Sequence, residues 1–260
     1  MQIVVLVGRV LDPAGIAVNR RAGRVFVNRE TYVMQPADAC ALEAALRIKD
    51  GNPEAGLLVL PRHPLPDDDV LRQALAAGAD HAILLDGEDL AGADDAAMAR
   101  LLAAVVSAQE GVQLVLTGAV TLDTGQAQLG PRLAAQLVWT PVVGAWDVRV
   151  SGDSVQVVRR EAGTYVIYET GLPAVVTVAA DALRLRYPDG ARLIATYRDG
   201  AAVERWQLAD LRAGGLWEGE APGPLVEQRG QDVPPPRERG VRLAGTPAEM
   251  ARALAAKLRS

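Results

Sequence analysis

Cysteine, histidine and aromatic side chains are scarce in this 260-residue chain. A single cysteine, Cys40, excludes an internal disulfide framework, and its helical spacing from Ala37, Ala41 and Ala44 suits a small core residue rather than a nucleophile. The two histidines, His63 and His81, stand at no metal-ligand spacing from Cys, Asp or Glu, so no metal site is expected. They also leave little material for a Ser/His/Asp or Cys/His centre, and no catalytic residue is assigned. No apolar run approaches 18 residues in length, and no charged-then-apolar leader is recognisable. The expectation is a soluble cytoplasmic protein with no membrane span and no signal peptide. Lys and Arg number 27 against 32 Asp and Glu, a formal charge of −5, and they form neither a basic block nor an aromatic-basic stripe. Nucleic acid is therefore not an expected partner.

Apolar residues, by contrast, make up 50% of the chain, enough for a substantial core, and at this length one large domain with an appended arm is expected. The pattern predicts strands at 3–7, 57–60, 82–85 and 112–116, alternating with helices near 36–49, 67–77, 93–108 and 128–138. Such alternation implies parallel pairing through right-handed crossovers. The fold class is α/β, with a doubly wound, mostly parallel, Rossmann-like sheet. Ligands on such sheets lie beyond the carboxyl ends of the strands, where Gly8-Arg9, Pro61-Arg62-His63 and Gly118 to Gly130 fall.

The character changes between Val142 and Val178. Alternating runs at 147–150, 154–159 and 165–169, the first two separated by Ser151-Gly152-Asp153, predict added antiparallel strands that either extend the sheet or form a small separate layer. From Gly214 the chain is rich in Gly, Pro and charge, with too little apolar content to offset its ordering entropy, and it reads as an extended arm. The arm closes with Thr246-Pro247-Ala248-Glu249, a helix start, and then a helix to Leu258 with Met250, Leu254 and Leu258 on one face. The expected organisation is an α/β nucleotide-binding domain over 1–213 and a C-terminal docking arm over 214–260.

The most informative stretch is Gly118 to Trp139. An apolar strand at 112–116 breaks into a loop carrying Asp123, Gly125, Gln128 and Gly130 and then enters an Ala/Leu helix, which places backbone N–H groups at a helix N-terminus suited to an anion. The loop has no Lys, no Ser-Gly-Gly and no Gly-x-Gly-x-x-Gly arrangement, so it suits holding a nucleotide rather than cleaving one; the plain alternative is an ordinary strand-to-helix turn. Asp123 is open to contacting bound nucleotide, to capping the helix, or to both. His63, at a strand end, is either a contact or structural, and His81 is structural. Asp67-Asp68-Asp69 reads as a solvated helix cap and Arg159-Arg160 as a solvent face.

These residues resemble the nucleotide loop of electron-transfer flavoprotein beta subunits. Gly118, Thr121-Leu122-Asp123, Gln128, Gly130-Pro131, Leu133-Ala134 and Trp139 close to Pro141 follow the family's run Gly-x-Gln-Ala-Ile-Asp-x-Asp-x-x-Gln-x-Gly-Pro, which ends in Gly-Trp-Pro. Val120 stands where the family has Gln, and Thr124-Gly125 replaces further acids. Five more segments agree in order. Val7 to Pro13 is similar to the family's opening Val-Lys-Arg-Val-Pro-Asp, and Gln35-Pro36-Ala37-Asp38-Ala39-Cys40-Ala41-Leu42-Glu43 to Asn-Pro-Phe-Asp-Glu-Tyr-Ala-Leu-Glu. Leu71 to Asp80 resembles Leu-Arg-x-Ala-Leu-Ala-Met-Gly-Ala-Asp, and Leu172 to Val178 repeats Leu-Pro-Ala-Val-Val-Thr-Val, with Pro234 to Leu258 similar to the family's C-terminal arm.

The resemblance implies the beta subunit of a heterodimeric electron carrier. The alpha subunit would hold FAD, and this chain AMP or, as in bifurcating members, a second FAD. Electrons would pass from a flavin dehydrogenase to a quinone-reductase-type acceptor. The implied nucleotide-binding residues are Leu6, Gly8, Gln35, Arg62, His63, Gly118, Asp123, Thr124, Gly125, Gln126, Ala127, Gln128, Leu129 and Gly130. The departures mark a divergent member. Ala37 replaces an aromatic, Arg186-Tyr187 alone survives from a longer motif, and Gly190 occupies the family's docking-leucine position. Leu193 and Ile194, the nearest apolar residues, are expected in the core, which implies an altered redox partner. The rival readings are a stand-alone adenine-nucleotide enzyme, which lacks its charge-stabilising loop here, and a stress-type nucleotide-binding module, which leaves the arm unexplained.

Overall fold

The computed structural model describes all residues except 20, 91, 199–202, 219, 222, 227, 228, 230–239 and 260. The chain divides into two units, one comprising Met1–Ala17 and Phe26–Glu227, the other Val18–Val25 and Gln228–Ser260.

The first unit is built on a nine-stranded sheet. Its parallel centre consists of β1 (Gln2–Val7), β6 (Gly56–Pro61), β7 (His81–Asp86), β8 (Val112–Gly118) and β12 (Ala174–Val178). With β9 (Thr140–Ser151), β10 (Ser154–Glu161), β11 (Thr164–Gly171) and β13 (Glu204–Gln207) the order is β11-β10-β9-β12-β8-β1-β6-β7-β13. The four expected strands and four expected helices all form. The helices are α1 (Pro36–Gly51), α2 (Asp69–Ala77), α3 (Asp95–Ser107) and α4 (Leu129–Leu137). The antiparallel strands extend the sheet rather than forming a layer of their own, because β9 pairs parallel with β12 while β10 pairs antiparallel with both β9 and β11.

Alternation along β1 assigns the two faces. Ile3, Val5 and Val7 pack with α1 and α2, whereas Val4 and Leu6 pack with α3, α4 and Leu208 and Leu211 of the short α6 (Leu208–Ala213). Both faces are buried, and each such aliphatic side chain contributes about 1.5–3 kcal/mol. Besides the short helices that follow β12, three strand features escape the sequence pattern. Two are the small antiparallel ribbons, β2 (Arg9–Leu11) with β5 (Tyr32–Met34) and β3 (Ile16–Asn19) with β4 (Arg24–Val27). The third is β13, an edge strand of sequence Glu-Arg-Trp-Gln with no apolar alternation to announce it.

After β12 the chain crosses α1. Arg186 holds it there, donating from Nε to Glu43 (3.0 Å) and from Nη2 to Asp50 (2.7 Å), and it then forms α5 (Gly190–Arg198). Arg72 of α2 donates to the Thr196 carbonyl (3.1 Å), fixing α5 against α2. Leu193, Ile194 and Tyr197 of α5 are exposed, so the expectation that Leu193 and Ile194 are core residues fails. A helix resting on the surface by polar anchors buries a single face. Beyond α6, Trp217 packs into the α3/α4 cluster.

In the second unit, α7 (Pro247–Arg259) begins at a capping box. The Thr246 N–H donates to Glu249 (2.8 Å) and the Glu249 N–H donates to Thr246 Oγ1 (3.4 Å). None of its residues is buried. Among the described residues no helix is long and apolar enough to cross a membrane.

Candidate functional site

The chain runs from β1 outward to β6 and β7, then returns to β8 on the other side of β1. The carboxyl ends of β1 and β8 therefore flank the reversal of strand order, where open α/β sheets leave a crevice. Asp38, in the first turn of α1, ties this point together. Its Oδ2 accepts from the Gly8 N–H, and its Oδ1 accepts from the Gly118 N–H and from Arg62 Nη1, each at 2.9 Å. Asp38 is fully buried and Arg62 2% exposed. Burial pushes the Asp38 carboxyl up from the ordinary carboxylate range, while the Arg62 guanidinium, the Gly118 and Gly8 amides and nearby His63 work against that shift. Both glycines are required by close approach. A Cβ on Gly118 would overlap Ala37 and Asp38, and one on Gly8 would lie 2.7 Å from the Arg62 side chain and His63 Nε2.

Beyond Gly118 the loop is a closed hydrogen-bonded turn. The buried Gln35 accepts from the Leu122 N–H (3.0 Å) and donates to Asp123 Oδ1 (3.4 Å). Thr121 Oγ1 accepts from the Gln126 N–H (3.0 Å) and shares a 2.7 Å bond with Thr124 Oγ1, and Gly125 adopts the left-handed φ of 67° that the turn needs. Asp123 Oδ1 accepts from the Thr124 N–H at 2.7 Å. It does not cap α4, whose N-cap residue is Gln128, five positions on.

A cleft of ≈ 210 Å³ opens among Gln35, Arg62, His63, Ala93, Asp94, Asp95, Met98, Thr121, Asp123, Thr124 and Gln126. The structure thus brings together six of the expected site residues: Gln35, Arg62, His63, Asp123, Thr124 and Gln126. Gly8 and Gly118 are linked to the cleft residue Arg62 through Asp38, and Gly125 shapes the turn. Leu6 and Leu129 are core residues of the α3/α4 cluster, and Gly130 is set by packing, since a Cβ there would overlap the Thr177 methyl group. Ala127 and Gln128 lead exposed into α4, with Gln128 Oε1 accepting from Arg132. The first amides of this nine-residue helix carry the positive end of its dipole.

Three acids escaped sequence reasoning. Asp38 lies inside a quoted motif but carries no signal of burial. Asp94 and Asp95 precede a helix, where acids are ordinary. Asp94 Oδ1 caps α3, accepting from Ala96 (3.0 Å) and Ala97 (2.9 Å), while Oδ2 accepts from the Leu225 (2.7 Å) and Val226 (3.0 Å) amides. His63 Nδ1 lies 3.0 Å from the Pro64 carbonyl, which can only accept, so in this contact Nδ1 carries the proton. Among the described residues no group of three or more His, Cys, Asp or Glu is placed to hold a metal.

The comparisons with known proteins agree with this arrangement. The electron transfer flavoprotein domain profile matches residues 24–210. The electron transfer flavoprotein subunit beta of Megasphaera elsdenii is 30% identical over 253 residues, covering 94% of this chain and 91% of that protein. The caffeyl-CoA reductase-Etf complex subunit CarD of Acetobacterium woodii is 30% identical over 81% of this chain and 80% of its own length. Protein FixA of Azorhizobium caulinodans is 33% identical over 81% and 76%. With the profile covering most of the chain and full-length relatives on both sides of the switch-point crevice, the chain belongs to the electron transfer flavoprotein family, as a beta-type subunit.

Proposed function

We propose that this chain pairs with an electron transfer flavoprotein alpha subunit in the cytoplasm and holds AMP in the cleft at the ends of β1, β6 and β8. The observation that carries this reading is the Asp38 junction, which fixes the ends of all three strands beneath a cleft containing a buried guanidinium nitrogen, Arg62 Nη2, with no partner in the protein. An orphaned buried donor is costly unless a ligand atom accepts from it, and the donor set therefore fits an adenylate. The α4 amides suit its phosphate, and the cleft walls suit a sugar or base. A mononucleotide is the smaller demand on a cleft of ≈ 210 Å³, which lies below the roughly 300–1,000 Å³ of ordinary small-molecule pockets.

FAD, held mainly by the alpha subunit, would supply the redox chemistry of the pair. This chain's part is to wall the flavin from water, hold the nucleotide and present docking surfaces. Residues 214–260 serve as the arm that binds the alpha subunit. A flavin dehydrogenase donates electrons and a quinone-reductase-type protein accepts them. The test is nucleotide release from the purified complex, analysed by mass spectrometry. One FAD and one AMP per heterodimer is the expected result. Two FAD and no AMP would replace AMP with a second flavin, and a lone chain turning over an adenine nucleotide would overturn the carrier reading.

A further inference from the structure

Two buried polar atoms without partners belong to residues lining the same cleft: Arg62 Nη2, a donor, and Asp95 Oδ2, an acceptor. They arise independently, since Arg62 follows β6 and Asp95 opens α3, and neither is explained by the packing around it. Arg62 is 2% exposed and already spends Nη1 on Asp38. Asp94, beside Asp95, is fully engaged as the α3 cap and as acceptor for Leu225 and Val226. The Asp95 oxygen is thus the uncommitted one at this wall. A group that satisfies both orphans must accept from a guanidinium and donate to a carboxylate. A phosphate suits this poorly, because with a second pKa of about 6 it is mostly the dianion near neutral pH and would meet Asp94, Asp95 and Asp123 as like charges. A sugar hydroxyl does both with one oxygen.

We propose that Asp95 is a ribose-recognition residue, accepting a hydrogen bond from a hydroxyl of the bound nucleotide that also accepts from Arg62. The inference rests on the adenine-nucleotide reading and adds to it an orientation: sugar toward the α3 N-terminus, phosphate toward α4. Asp95 then sets the preference for ribonucleotides. Hydrogen bonds to charged groups contribute enough for removal of the recognised hydroxyl to weaken binding about ten- to hundred-fold.

The experiment is equilibrium binding of AMP, 2′-deoxy-AMP, 3′-deoxy-AMP and IMP to the full-length chain in its purified complex after removal of bound nucleotide. Wild type, Asp95→Ala and the near-isosteric Asp95→Asn are compared. Wild type should disfavour one of the two deoxynucleotides by at least about tenfold, Asp95→Ala should bind AMP and that deoxynucleotide alike, and Asp95→Asn should fall between. Undiminished discrimination in Asp95→Ala would overturn the assignment while leaving the nucleotide site intact. An Asp95→Ala effect confined to the AMP-to-IMP ratio would place Asp95 on the base and equally overturn it. Failure of wild type to bind AMP at all would remove the underlying reading as well.

Discussion

Asp38 serves four groups at once: two glycine amides, a guanidinium and the first turn of its own helix. Because Arg62 is buried with it, Asp38→Ala leaves an uncompensated charge and two bare amides. It should cost about 3–5 kcal/mol, measured by chemical denaturation. A loss under 1 kcal/mol would mean that water replaces the carboxylate, contrary to the burial described. Strain of the opposite sign sits at Val138, which ends α4 in a left-handed conformation (φ 57°) that a β-branched residue tolerates poorly, although its side chain is 91% exposed and packs on little. Val138→Gly relieves this and adds unfolded-state entropy. The net expectation is about 0.5–1 kcal/mol of added stability, seen as a rise in Tm of roughly 1–4 °C. An unchanged or lower Tm would show that the valine makes a compensating contact.

At the scale of elements, one carboxylate joins α3 to the start of the C-terminal segment. Burial by itself would push the Asp94 carboxyl up, but the amides of Ala97, Leu225, Val226 and Ala96 together hold it below the usual range. A carboxylate depressed in the folded state stabilises at pH above its unfolded value of about 3.9, and that contribution is lost as pH falls through the lower folded value. Hydrogen-exchange protection of Leu225 and Val226 should therefore be constant from about pH 7 to 5 and decline below about pH 4. Asp94→Ala should abolish it at every pH, with an added loss of about 1 kcal/mol from the missing cap. Protection that survives the substitution would assign those amides another acceptor. The helices were legible because period and length agree over 9 to 16 residues, and the expected parallel strands because each is an unbroken apolar run within 6 or 7 residues. The ribbons and β13, at 3 or 4 residues, are too short for either signal.

For the whole molecule, the described residues of both buried clusters, with those packed against them, come from positions 1 to 221. Removing residues 235–260 should therefore leave the Tm of the α/β unit within about 2 °C, a change under ~1 kcal/mol, while weakening association with the alpha subunit. Unaltered affinity by surface plasmon resonance would exclude the arm from that interface. For the donor side we propose an altered contact. The resemblance sets Gly190 where the family carries a docking leucine, an anchor that contributes about 1.5–3 kcal/mol when buried, and Leu193 and Ile194 are exposed further along α5. A standard medium-chain acyl-CoA dehydrogenase should accordingly reduce the wild-type complex slowly and the Gly190→Leu complex faster. Rapid reduction of wild type, indifferent to Leu193→Ala, would refute the altered-docking idea.

What the sequence by itself determined is the periodic part: a doubly wound sheet, the positions of its four crossover helices, the glycine-bearing loop after β8 and, through six ordered segments, the family. These depend on neighbours along the chain, which is where hydrophobic period, glycine freedom and helix starts are written. Only the tertiary structure decided that Asp38 is buried between Gly8, Gly118 and Arg62, that Gly130 packs closely against Thr177, that Leu193 and Ile194 face outward, and that Asp94 and Asp95 belong to the cleft. Each of these is a contact or an exposure set by residues 24 or more positions away in sequence (the span from Asp38 to Arg62), and an aspartate at a helix start looks the same in sequence whether solvent or a binding cleft lies before it.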